Sequence, residues 1–87
     1  MDRVAAYSVI TEEIEAARRL PYGNLVARVG NEPATREIVT PVGVAILETR
    51  VEWENRATGQ ISVVVTLYGP STFRLERLEE RILVAPM

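Results

Sequence analysis

The side chains that most often carry chemistry are missing from this sequence of 87 residues. It contains no histidine, no cysteine and no lysine, so all ten basic residues are arginine. Without His or Cys there is no Cys/His zinc site. The Ser-His-Asp and Cys-His nucleophiles are excluded for the same reason. Without Lys there is no Schiff base and no lysine-tipped phosphate loop. The GxGxxG fingerprint of dinucleotide binding is also absent. Carboxylates, Tyr, Ser/Thr and arginine remain. Arginine holds its charge and is a poor proton shuttle. Paired carboxylates can do acid–base work or bind a hard metal. The densest set is Glu48, Glu52 and Glu54 with Arg50 between them. Its alternation reads as a solvated sheet face with weak ion pairs. We therefore expect no catalytic residue, no metal site and no cofactor, and the composition argues against an enzyme.

Binding chemistry is less restricted. Arg18, Arg19 and Arg28 fall near the end of the helical region, and arginine forks suit anions. Their expected role is solubility and local ion pairing. The net charge is −2 and the charges are interspersed. Nucleic-acid binding leans on many phosphate contacts from a basic face, so it is not expected here.

The elements that must position these residues follow from periodicity. Residues 3–19 read as a helix, with Ile10, Ile14 and Ala17 at helical spacing and Val4 and Tyr7 extending the stripe. Glu15 and Arg19 form an i,i+4 pair in the favourable order. Pro21 stops the segment. A short helix from Pro21 to Gly30 follows, with Leu25, Val26 and Val29 on one side. A strand over Leu25–Val29 is the competing assignment. Arg36–Thr40 reads as a short strand interrupted at Pro41 and Gly43, and proline there points to an edge or a bulge.

A long hairpin is the clearest element. Ala45, Leu47, Thr49, Val51 and Trp53 alternate with polar residues, as do Ile61, Val63, Val65 and Leu67 after the turn Asn55–Gly59. Setting Glu54 opposite Gln60 puts Trp53 against Ile61, Val51 against Val63, Thr49 against Val65 and Leu47 against Leu67. A slip of one residue would turn one strand's apolar set outward, so the pattern fixes the register. Tyr68-Gly69-Pro70-Ser71 reads as a turn. The segment 72–84 carries both a helical stripe (Leu75, Leu78, Ile82) and strand-like stretches. Its expected form is a strand over Thr72–Glu76 followed by a break or a helical turn.

The whole is one domain, residues 1–87. The fold class is α+β, with N-terminal helical segments on an antiparallel meander of three or four strands. A chain this short buries only about 60–65% of its unfolded surface. Its core is thin, and a second subunit is a natural way to complete it. Two candidate sites follow. Ile46, Val64 and Tyr68 share the otherwise polar hairpin face, as a possible partner or dimer contact. Val51, Trp53, Val63 and Val65 would line a pocket for a small anionic ligand, although Trp53 in this alternation reads first as core. The expected function is a non-enzymatic interaction or dimerisation module, with a small-molecule binder as the alternative. The expected partner is a second copy or another protein.

Met1-Asp2-Arg3 opens a mixed polar segment unlike a signal peptide. No apolar run approaches the ~20 residues of a membrane span. Cytoplasmic residence is the resulting expectation. The stretches Leu20-Pro21-Tyr22 with Leu25-Val26, Arg28-Val29-Gly30, Val51-Glu52-Trp53-Glu54-Asn55 and Gly59-Gln60-Ile61 resemble small uncharacterised bacterial α+β proteins. That resemblance implies a stand-alone bacterial domain and no particular activity. The order of helix, strands and possible C-terminal helix is also similar to the double-stranded-RNA-binding architecture, whose basic patch is lacking here.

Overall fold

A period of 3.6 residues ahead of a series of period-two segments predicts one helical layer on one sheet. The computed structural model, which describes residues 3–40, 43–69 and 76–86, has this arrangement. Helix α1 spans Arg3–Arg18 and helix α2 spans Tyr22–Val26. Four strands follow: β1 (Ala34–Thr40), β2 (Gly43–Asn55), β3 (Gln60–Gly69) and β4 (Glu76–Val84). They form one antiparallel sheet in the order β1-β2-β3-β4. The protein is thus an α+β domain, and β1 and β4 are the sheet edges.

The stripe of α1 that enters the core is Ala6, Ile10, Ile14 and Ala17. This i, i+4, i+8, i+11 set forms one apolar face. Val4 is 79% exposed and Tyr7 is also exposed, so the expected N-terminal extension of the stripe does not hold. The face had rotated one position, to Ala6. Glu15 pairs with Arg18 at 3.6 Å rather than with Arg19. Pro21 caps α2 with extended backbone, and its carbonyl accepts from the Asn24 and Leu25 amides. Leu25 is the buried residue of this short helix, and the alternative strand over 25–29 is not formed.

The inner face of the sheet carries Ala45, Leu47, Thr49 and Val51 from β2, and Ile61, Val63, Val65 and Leu67 from β3. All are buried. The expected pairs Leu47–Leu67, Thr49–Val65, Val51–Val63 and Trp53–Ile61 are all present. Glu54 does not face Gln60, however. Asn55 does, and the register shifts between Trp53 and Asn55. The cause is local: Asn55 Oδ1 accepts hydrogen bonds from the Ala57 and Thr58 amides at 3.1 and 3.3 Å. That Asx turn claims Asn55 as the last paired residue and leaves Glu54 in a bulge. Gly59 closes the turn at φ +79°.

The C-terminal segment is a strand over Glu76–Val84, with no helical turn. Leu78, Ile82 and Val84 sit opposite Leu67, Val63 and Ile61 on the inner face. Leu78 and Ile82, four apart, satisfy a helical stripe and a strand alternation equally. Pairing with the buried strand β3 decides between them. The likeness to the double-stranded-RNA-binding order lapses with the C-terminal helix. The expected strand residues 72–75 and the turn residues Pro70 and Ser71 lie outside the described residues. Helix α1 lies over β3 and β4.

Candidate interaction surface

Residues directly opposite in an antiparallel pair point to the same face. The outer face is therefore built in rows across the strands: Glu37, Ile46, Tyr68 and Arg77, then Thr35, Glu48, Thr66 and Glu79, then Arg50, Val64 and Arg81. Val39 and Val44 face each other at the β1–β2 end.

Charged side chains cover the middle of this face. Arg50 lies 3.3 Å from Glu48 and 3.7 Å from Glu79, and Arg81 lies 3.5 Å from Glu54. Thr66 donates to Glu79 at 3.0 Å. Val64 is roofed by this network and is 0% exposed. It shares the outer face with Ile46 and Tyr68, as its alternation required, but it offers no surface to a partner. The two-strand hairpin left one flank of Val64 open, and β4 fills that flank with Arg81. Ser62, one row further along, is also buried, and its hydroxyl has no partner among the described atoms.

Among the described residues, exposed apolar side chains of this face group at the β1 end, while Leu83 is exposed singly on β4. Val39 is 83% exposed, Val44 50% and Ile46 36%, with the half-buried Tyr68 beside Ile46. Pro41 and Gly43 separate Val39 in sequence from Val44 and Ile46, so no single run of alternation joined the three. The signal available was the two-residue spacing of Val44 and Ile46, which sets them on one face of a strand.

The expected pocket residues Val51, Trp53, Val63 and Val65 lie together on the inner face of β2 and β3. Val51, Val63 and Val65 are buried members of the core beneath α1, and the half-buried Trp53 packs against that core. A cleft of about 250 Å³ is lined by Arg28, Asn31, Glu32, Ala34, Thr49 and Val51. Arg28 stands on that cleft and Arg18 on its ion pair with Glu15.

At the β1 edge, Arg36 points to the inner face, opposite Leu47. Its guanidinium reaches Glu13 of α1 at 2.9 Å. The other Glu13 oxygen accepts from the buried Thr49 hydroxyl at 3.3 Å. Helix, edge strand and second strand are thereby tied at one carboxylate. The described residues contain no cluster of three or more acidic side chains able to hold a metal. No described helix is long and apolar enough to cross a membrane. Compared with protein-family models, with curated proteins and with solved structures, the chain matches none.

Proposed function

We propose that this domain is a non-enzymatic interaction module that associates through the β1 end of its sheet, with a second copy of itself as the partner. The supporting observation is the contiguous exposure of Val39, Val44 and Ile46 on the outer face of an edge strand and its neighbour. Isolated exposed aliphatics are ordinary, whereas a group at one corner marks a contact. Three side chains fall short of the roughly 800 Å² per partner that a stable interface buries. The contact must therefore include more of β1 than its outer face. Residence in a bacterial cytoplasm is part of this proposal.

The test is the mass of Val39→Glu beside the wild type by light scattering. Val39 is almost fully exposed, so its replacement leaves the fold intact, as circular dichroism will show. We expect a dimeric wild type and a monomeric variant. A variant with the mass of a dimeric wild type would remove this corner from the interface.

A second reading is binding of a small anion in the cleft beside Arg28. Arg28 and Asn31 at its rim favour that ligand class. The volume is below the roughly 300–1,000 Å³ of typical ligand sites, and Glu32 opposes an anion. Phosphate titration followed by thermal unfolding tests it. A rise in Tm that Arg28→Ala removes would favour this reading, and no rise would dismiss it.

A further inference from the structure

We infer that the second copy docks strand to strand, β1 against β1, antiparallel about a two-fold axis at Ile38. This rests on the proposed self-association at the β1 end and names its geometry. The result is one eight-stranded sheet, four strands from each chain.

The two edges of the sheet are not equivalent. An inward-pointing charge is a standard device against edge pairing, because a docking strand would strip its water. On β4 that device is intact: Glu80 sits on the inner face opposite Val65 and is exposed. It enters no ion pair among the described residues. On β1 the inward charge is Arg36, and Glu13 already neutralises it at 2.9 Å. β1 pairs with β2 in unbroken register from Ala34 to Thr40 and contains no proline. Its residues 34–37 and Val39 are exposed. Helix α1 packs mainly over β3 and β4, and on the inner side of β1 it meets Arg36 through Glu13.

Two-fold pairing must keep both inner faces on one side, so a residue has to sit opposite its own copy. Centring on Arg36 sets two guanidiniums face to face, and centring on Glu37 does so for two carboxylates. Like charges directly opposite are destabilising. Centring on Ile38 pairs two half-buried isoleucines and places Glu37 opposite Val39 of the other copy, on the outer face. Centring on Ala34, Thr35, Val39 or Thr40 leaves three or fewer of the seven strand residues paired. The sequence of the edge thus selects Ile38.

Because the chain has no cysteine, a single-cysteine scan reads this register directly. Ile38→Cys brings two thiols within disulfide range, since opposed Cα atoms are about 4.5–5.5 Å apart. Ile46→Cys leaves its two thiols at least about 14 Å apart, across three strand spacings. We expect rapid oxidative cross-linking of the first and not of the second. Val39→Lys should tighten the dimer about fivefold by facing Glu37, and Val39→Glu should loosen it by at least as much. A dimer that cross-links at Ile46 and not at Ile38 overturns the inference, and so does one that Val39→Lys dissociates as Val39→Glu does. Light scattering on the reduced samples separates the two levels: a monomeric wild type removes the underlying reading as well.

Discussion

Gly59→Ala should destabilise the domain by about 2–3 kcal/mol, and Tyr22 should account for a distinct part of that cost. The backbone at Gly59 has φ +79°, a conformation that costs an L-residue roughly 1–2 kcal/mol. A Cβ added there would also lie 2.9 Å from the Tyr22 hydroxyl oxygen and 3.2 Å from Pro86 Cγ. The hydroxyl cannot withdraw freely, because it donates to the Gly59 carbonyl at 2.5 Å. Losing that bond costs about 1 kcal/mol. Tyr22→Phe alone should therefore cost about 1 kcal/mol. In the Phe background the oxygen is gone, and Gly59→Ala should cost only the roughly 1–2 kcal/mol of backbone strain. Urea unfolding of the four proteins at one fixed concentration, read by Trp53 fluorescence, measures the cycle. Costs that are additive within about 0.3 kcal/mol would refute the contact as the source. In thermal melts each 1 kcal/mol corresponds to about 4–8 °C for a domain of this size.

Three further outcomes follow from the sheet. Val64→Ala should cost about 2 kcal/mol even though Val64 lies on the outer face, because it is wholly buried. Ile46→Ala on the same face should cost less than about 0.5 kcal/mol, and equal values would contradict the roof of ion pairs. Ser62→Ala should be neutral or stabilising by up to about 1 kcal/mol in urea unfolding, since it removes a buried hydroxyl without a partner. Glu13→Ala should destabilise by about 1 kcal/mol and speed amide exchange along β1, by releasing Arg36 and Thr49 together. Unchanged exchange would show that the carboxylate does not hold the edge.

The hairpin of β2 and β3 was legible because strict alternation on both sides of a glycine-closed turn admits one register. Its last pair was not, since the Asn55 side chain takes over the turn and shifts Glu54 out of line. The strand β4 was obscured by its Leu/Glu/Arg content, which favours helix in isolation. Only the exposed edge of β3 makes a strand the better partner. The placement of Val64 depended on that same strand: with two strands its side chain looks open, with three it is enclosed. Ile46 and Tyr68 stand together as the alternation required. Val39 was hidden by Pro41 and Gly43, which break the pattern that would have joined it to Val44 and Ile46. Val51, Trp53, Val63 and Val65 were read as one face without its cover, and the three valines are buried members of the core.

Self-association at the β1 end is tested most directly by the mass of the wild-type protein in solution, measured by light scattering across a concentration series. A mass of twice the 9.7 kDa chain, falling to that of one chain on dilution or on Val39→Glu substitution, is the predicted result. A single-chain mass sustained at the highest concentrations would contradict it.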